Sequence, residues 1–497
     1  MEIATLTRRR PAQDVARPPR AARRFRLGVP GIALVVLGLA TLAGFLIYPT
    51  YPNYDSYYSL LWGRELLHGT TPSFEAYRSP TEHPLAIVYG ALLSLLGDPA
   101  DRIMVGTCLL SFVVLAAGIY RLARTAFTPV VGLIAAALVC TRFDFPFLAA
   151  RGYIDVPYLA FVVWAAVLEA ERPRRGGPVF ALLVCAGLMR PEAWVITGLY
   201  FLWVAWPAPW ATRIRYAALT ALAPVLWVLV DFAVTGHPFF SLQHTSGLAE
   251  ELGRTKGLSE VPSSTVQFLK NLDKAPVFYA GILGLLIAAW AAPRRLAMPG
   301  ALLATGVGTF FMVGLAGLSV IDRYLLVPSL MVMVFAAVAL GGWSMLQPGR
   351  LRLAWMVGAV LLVGYGVAFT ATRVNLQVFR NQLVFRGEAH ASLQKVLSEP
   401  AVTRARRECG GPLSTPNHKL VPDSRWVLKA GVDDVVARAD PLQAKRITRG
   451  VALYVTDRTA LLSQALADPS DDPLDSVPLP GFHRIASSGY YGVYASC

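Results

Sequence analysis

178-PVFALLVCAGLMRPEAWVITGLYFLWVAW-206 is an apolar run broken once, at Arg190-Pro191-Glu192. A helix crosses a bilayer with about 20 apolar residues. The run is therefore either one long span with charges and a proline at its middle, or two short spans joined by the charged triplet. Basic residues decide between these readings, because cytoplasmic loops are enriched in Lys and Arg and every crossing changes side. Working outward, further apolar segments lie at 28–48, 103–120, 153–170, 213–234, 275–292, 297–318, 324–345 and 352–371, with shorter ones at 84–97 and 128–142. Suppose 178–206 is a hairpin with its tip outside, 128–142 crosses, and the amphipathic stretch 84–97 lies along the outer surface. Then Arg121/Arg124, Arg172/Arg174/Arg175, Arg213/Arg215, Arg294/Arg295, Arg350/Arg352 and the arginine-rich segment 1–27 all face the cytoplasm. Other threadings expel several of these clusters. The expected fold is an all-α polytopic membrane protein of about eleven spans, N-terminus in and C-terminus out, with a small α/β C-terminal extracytoplasmic domain.

Composition agrees. Of 497 residues, 55% are hydrophobic and only 15% charged, against about a quarter charged in a soluble domain. The net charge of +15 sits in short clusters between apolar runs, which is the pattern of cytoplasmic loops and not of a nucleic-acid surface. Residues 1–27, with a faint twin-arginine likeness at Arg23-Arg24-Phe25, read as a disordered basic anchor ahead of the transmembrane part, 28–372. Segment 373–497 is polar, with a strand expected at 451–455, a helix near 458–466, and a terminal hairpin of 482–485 and 490–495 across Ser487-Ser488-Gly489. Of five cysteines, Cys108, Cys140 and Cys185 fall in spans as small core residues, whereas Cys409 and Cys497 share the exported tail and are candidates for a disulfide. The Ala/Arg/Pro-rich composition fits a high-GC bacterium and hence a plasma membrane.

The outer side receives 49–102, 143–154, 190–192, 235–273, 321–324 and 373–497, and function is expected there; loop 49–102 is long, and long loops in compact proteins are usually functional or disordered. Asp55 lies in Tyr51-Pro-Asn-Tyr-Asp-Ser, just past the first span, and Asp155 in Arg151-Gly-Tyr-Ile-Asp-Val-Pro, at the outer start of the fourth. An ionisable group at the bilayer boundary is costly unless paired or hydrated, so both are candidate functional residues; the competing reading makes each a helix cap. The first loop also holds Arg78-Ser-Pro-Thr-Glu82-His83-Pro. Arg190, Glu192 and Arg323 abut spans on the face where positive charge is otherwise scarce. They form either local ion pairs or an anion site, because guanidinium matches phosphate oxygens in a fork.

An acidic residue just after the first span, a long loop ending in Glu82-His83-Pro84 before a surface helix, and a second Asp followed by Pro in a later span resemble GT-C glycosyltransferases. The protein O-mannosyltransferases and lipid A aminoarabinose transferases are the nearest likenesses. In those families the first-loop motif is usually Asp-Glu; here Ser56 follows Asp55, leaving one carboxylate. Glu82-His83-Pro84 looks like the families' His-Pro or Glu-Lys-Pro element, Arg190-Pro-Glu sits where relatives place a basic residue near the lipid phosphate, and Asp322-Arg323-Tyr324 resembles a recurring Arg-Tyr element.

The resemblance covers roughly 28–345 and implies a membrane glycosyltransferase. It would move a monosaccharide from a polyprenyl-phosphate donor to a hydroxyl of a lipid, protein or glycan acceptor, with inversion. Asp55 would be the general base and Asp155 would position substrate or hold a cation. Arg190 or Arg323, or else Arg78 or Arg151, would meet the leaving phosphate, and Glu82, His83, Glu192 and Tyr324 would bind substrate. Some relatives use a divalent metal, but Asp55, His83 and Asp155 are not spaced as a compact metal motif. A transporter or lipid flippase, a polymerase or ligase using lipid-diphosphate glycans, and an anchored scaffold remain alternatives. The absence of a sequence repeat and of mid-span acids other than Asp231 weighs against transport. A cysteine-labelling scan is expected to find residue 124 inside and residue 430 outside; the opposite result at either position would dissolve the common face.

Overall fold

The computed structural model describes residues 28–142, 144–445, 447–457 and 478–497, so the basic segment 1–27 and the helix expected near 458–466 lie outside the described residues. The helices are α1 Val29–Ile47, α2 Tyr54–Leu67, α3 Pro84–Ser94, α4 Ala100–Ala126, α5 Pro129–Thr141, α6 Asp144–Ala150, α7 Asp155–Glu171, α8 Gly177–Gly187, α9 Glu192–Ala205 and α10 Trp210–Thr235. They continue as α11 Phe240–Glu251, α12 Val261–Asp273, α13 Ala275–Ala291, α14 Pro293–Leu315, α15 Leu326–Gly341, α16 Arg350–Arg373, α17 Leu376–Leu397, α18 Pro400–Glu408, α19 Val421–Leu428 and α20 Pro441–Ala444. A helix occupies every expected span. Run 178–206 is two helices, α8 and α9, broken at the charged triplet and packed against each other. Among the described residues, six helices are long and apolar enough to cross a membrane, or up to eight if each bent pair forms one span. The chain is a multi-pass membrane protein.

α15 is the centre of the bundle. It is apolar all round and almost wholly buried, as a helix enclosed by other helices must be. Glycines let its neighbours close on it: a Cβ on Gly284 of α13 would lie 1.8 Å from the Phe335 carbonyl oxygen, and one on Gly281 2.5 Å from Val332. Small residues at such crossings replace the missing hydrophobic force with close van der Waals packing. At the periphery, α1 buries none of its residues and presents Leu39, Leu42 and Leu46 outward.

The first long connection is itself helical. Asn53 caps α2 by accepting from the Ser56 N–H (3.0 Å), which places Asp55 inside the first turn and not at the cap. The Ser56 hydroxyl donates to the Gly152 carbonyl (2.6 Å), tying the start of α2 to the turn that precedes α7. α2 and α3 meet backbone to backbone, since a Cβ on Gly63 would lie 2.2 Å from Ala91 N and one on Gly90 2.3 Å from Ser59 O. α3 departs from the expected amphipathic stretch: Ala86, Ile87 and Leu93 are buried, while Val88 and Leu92 face outward. With both faces apolar, it suits lipid better than a water surface.

The tail forms a five-stranded sheet from β1 Leu413–Thr415, β2 Val435–Ala437, β3 Gly450–Val455, β4 His483–Ser488 and β5 Tyr491–Ser496. The strand order is β2-β1-β3-β5-β4, with β1 parallel to β2 and β3, and β5 antiparallel to β3 and β4. The expected strand is β3, the expected hairpin is β4–β5, and Cys409 is bonded to Cys497. α17 packs on this hairpin, with Phe385 against Tyr490 (ring centroids 5.2 Å). The tail is bolted to the first connection: Arg425 pairs with Glu65, and Arg64 donates to the carbonyls of Arg425 (3.2 Å) and Ala430 (3.3 Å).

Because α2 carries Asp55, the glycine crossing bears on the site as well as on stability. Gly90→Val is expected to destabilise the protein by about 1–3 kcal/mol through overpacking, read as a lowered melting temperature in detergent, whereas Gly38→Val on exposed α1, where a Cβ meets nothing, is expected to leave melting unchanged.

Candidate active site

A cavity of about 690 Å³ opens between the membrane helices and the tail. Its wall takes the start of α2, the 78–83 segment, the α8–α9 break, α10 and α11, the turn before α15, and α17 with α19.

At its centre is an ion-pair chain drawn from four separate parts of the sequence. Arg323 donates through Nη1 to Asp55 Oδ2 (2.9 Å) and through Nη2 to Asp155 Oδ2 (3.0 Å). Arg190 donates to Asp155 Oδ1 through Nη1 and to Glu192 Oε1 through Nη2 (2.6 Å). Local structure makes this possible. The α8–α9 break frees Arg190 from the helix surface, and Pro191-Glu192 opens α9 with Glu192 at its dipole-favoured first position. Tyr324 and Tyr158 flank the Arg190 guanidinium at 5.6 and 5.7 Å, a cation–π arrangement suited to a desolvated cation. Three carboxylates thus face two guanidiniums.

The two aspartates differ in access. Asp155 is fully buried and lies behind Arg190 and Arg323, not on the cavity wall. Both its oxygens are taken, and Ile154, not Asp155, is the N-cap of α7. Asp55 does line the cavity; Oδ2 holds Arg323, while Oδ1 has no protein hydrogen bond among the described residues.

Glu82 and His83 sit beside this chain. The Leu85 N–H donates to the Leu188 carbonyl (3.1 Å), which fixes the 82–84 element to the α8–α9 break. His83 lines the cavity with Nδ1 unpartnered, and burial, then the nearby Arg190 guanidinium, pushes its imidazole down to about 4. The ring is neutral near pH 7. Glu82 is fully buried behind it with neither carboxylate oxygen partnered, and burial pushes it up to about 8. The nearby Ser241 hydroxyl is committed to Asp231 (2.6 Å). Arg78, with φ at +53°, is held from several sides: its carbonyl accepts from Tyr54 (2.9 Å), and its guanidinium reaches Glu251 (2.8 Å) and His418 Nδ1 (3.4 Å). Arg151 lines the cavity stacked over Tyr153 (5.0 Å) and Phe147 (5.3 Å).

Of the ten residues singled out from sequence, eight line this one cavity, and Asp155 and Glu82 lie directly behind its wall. The sequence reading missed the tail's contribution: Arg386 and His390, one helical turn apart on α17, with His418 and Asp423, close one side. Their i, i+4 spacing was the available signal. Among the described residues no group of three or more His, Cys, Asp or Glu is placed to hold a metal ion. Asp55 and Asp155 are both engaged by Arg323, so the donor set does not suit a divalent cation.

This arrangement of helices is the GT-C fold. The chain superposes on the crystal structure of ArnT, a lipid A aminoarabinose transferase, from Cupriavidus metallidurans with a TM-score of 0.56, 13% identity, and coverage of 94% of this chain and 98% of that one. It also superposes on the Archaeoglobus fulgidus oligosaccharyltransferase in its apo form (TM-score 0.51) and tethered to an acceptor peptide (TM-score 0.50), each at 12% identity and covering 94% of this chain and 74% of that one. No protein-family model and no curated protein matches the sequence.

Removing one partner from a buried ion pair costs about 3–5 kcal/mol. Asp155→Ala removes the fully buried carboxylate that bridges Arg190 and Arg323, leaving each with a single carboxylate partner, Glu192 and Asp55, and is expected to lower thermal stability in detergent by an amount up to that range. A melting curve superimposable on the wild type would mean that the chain is not structural.

Proposed function

We propose that the protein is a membrane glycosyltransferase that moves a monosaccharide from a polyprenyl-phosphate donor to an acceptor hydroxyl at the outer face of the plasma membrane, with inversion. The observation that carries this reading is the accessible Asp55 carboxylate, held by Arg323 through Oδ2 with no hydrogen bond to Oδ1 among the described residues, at the wall of the cavity. The common fold with ArnT and with an oligosaccharyltransferase that was crystallised with a tethered acceptor peptide supports the class of reaction. The position of the arginine clusters supports the outer face, where nucleotide sugars are not expected and the activated sugar must arrive on a lipid.

Asp55 is the general base. Oδ1 takes the proton of the acceptor hydroxyl as its oxygen attacks the anomeric carbon; the bond from that carbon to the phosphate oxygen breaks, and polyprenyl phosphate leaves with the electron pair. A single in-line displacement inverts the centre. Arg323 orients the base by fixing its other oxygen. Asp155, fully buried, positions Arg323 and Arg190 and does not itself touch substrate. Arg190, Glu192 and Tyr324 line the cavity with Asp55 and contribute to substrate binding there, with the neutral His83 as a hydrogen-bonding neighbour and Glu82 behind it; Arg78 and Arg151 line the same cavity.

Membranes containing the protein are incubated with labelled polyprenyl-phosphate sugars and transfer is followed. Asp55→Asn, whose amide oxygen can still accept from Arg323, is expected to lose transfer by the 10²–10⁴-fold typical of general-base removal while the protein still inserts and folds. Near-normal transfer by that variant would overturn the assignment of the base.

A further inference from the structure

Two half-buried guanidiniums on the cavity wall have no ion-pair partner among the described residues; Arg254, also on the wall, is solvent-exposed. Arg190, Arg323 and Arg78 are each paired with carboxylates. Arg151 and Arg386 are not: among the described residues neither side chain makes an ion pair or a hydrogen bond, and the Nε of each is buried without a partner. Both line the cavity, Arg151 from the turn before α7 and Arg386 from α17 in the tail. The two segments are in contact: Phe147, under the Arg151 guanidinium (5.3 Å), packs on Phe379 of α17 (ring centroids 6.0 Å), two helical turns before Arg386, and after burial the Arg151 charge is the main influence pushing the Arg386 guanidinium down.

Two half-buried guanidiniums with inaccessible, unpartnered Nε groups are costly in one cavity, because each needs several hydrogen-bond acceptors and like charges repel. Nearby acids do not discharge them. Asp55 acts on Arg151 from beyond the ion-pair distance while its Oδ2 is held by Arg323. Asp423 faces Arg386 without forming an ion pair, and burial pushes its carboxyl up to about 8, so it is largely uncharged near neutral pH. The ring of Tyr153 supports the Arg151 plane and leaves its edge nitrogens for the cavity.

We propose that Arg151 and Arg386 form a two-armed anion site for a phosphate group of a substrate, shared between the membrane part and the tail. Phosphate is the matching chemistry: it offers several oxygens to two planar forks, carries one to two negative charges, and would neutralise the pair. The phosphate belongs either to the lipid carrier of the donor or to the acceptor. The inference rests on the proposed transferase only in the choice of probes, and binding is measured separately from transfer.

The purified full chain in nanodiscs is titrated with polyprenyl monophosphate, with the corresponding polyprenol, and with glycerol phosphate as a lipid-free monoester. Arg151→Gln and Arg386→Gln are each expected to weaken binding of a phosphate-bearing probe by about 10- to 100-fold, as for loss of a charge-assisted hydrogen bond. Polyprenol binding should not change, and Arg386→Lys should recover part of the loss. Loss confined to polyprenyl phosphate assigns the site to the carrier; loss confined to glycerol phosphate assigns it to the acceptor. Phosphate binding unchanged in both Gln variants, with melting confirming that they are folded, overturns the proposal. If phosphate binding depends on the pair but no sugar is ever transferred, the site stands and the transferase reading falls.

Discussion

The Arg323 guanidinium, holding Asp55 with one nitrogen and Asp155 with another, is the constraint on which the rest of the structure depends. Its two partners lie in different connections of the chain. Arg190 enters from a third and takes the remaining oxygen of Asp155. In a low-dielectric interior no member of such a chain can be left alone, because a buried charge without a partner costs several kcal/mol. The helices must therefore deliver all of them to one place. α15, enclosed by glycine-faced neighbours, sets Arg323 at its start; the Ser56 bond to the Gly152 carbonyl sets Asp55 against Asp155; the α8–α9 break sets Arg190. Packing that looks like ordinary helix crossing thereby fixes the geometry of the charges.

Much of this was legible in the sequence because membrane threading has few solutions. Apolar length marks the spans, arginine sidedness fixes parity, and the charged triplet at 190–192 could only be a break if the clusters on either side were to stay together. A helix stands at each expected span, and the triplet is the α8–α9 turn. The disulfide was legible for the same reason: both cysteines lie in the one polar segment. What was not legible depends on contacts across hundreds of residues. Nothing in residues 373–497 by themselves says that Arg386, His418 and Asp423 complete a cavity begun by Asp55. Nor does local spacing show that Asn53, and not Asp55, caps α2, since both are good capping residues. Nor does the expected amphipathic surface stretch 84–97 show that α3 exposes Val88 and Leu92, an apolar face suited to lipid.

The tail changes the character of the cavity. Without α17 and α19 the ion-pair chain would open to solvent, and screened charges on a surface contribute little. With them, Tyr51 stacks on His390 (ring centroids 3.6 Å), Tyr57 reaches the same ring at Nδ1 (3.2 Å), and Arg78 bridges to His418. Aromatic and charged contacts of this density make the tail part of the wall and not an appended module. They also raise the electrostatic weight of each charge inside, since an interior of low effective dielectric amplifies both attraction and repulsion.

The charges inside are sorted. On one side, Asp55, Asp155 and Glu192 outnumber Arg190 and Arg323 and leave a carboxylate with one oxygen unoccupied. On the other, Arg151 and Arg386 are cationic without a counterion, and Asp423 is held largely neutral. A displacement at carbon has the same polarity: a proton is taken from the incoming oxygen while negative charge gathers on the outgoing one. If the anion site receives the leaving phosphate, the two halves of the cavity match the two ends of that transition state, and because the fixed charges are already oriented there is little reorganisation to offset at the moment of reaction. If it receives an acceptor phosphate instead, the same sorting serves to hold the acceptor while Asp55 takes its proton.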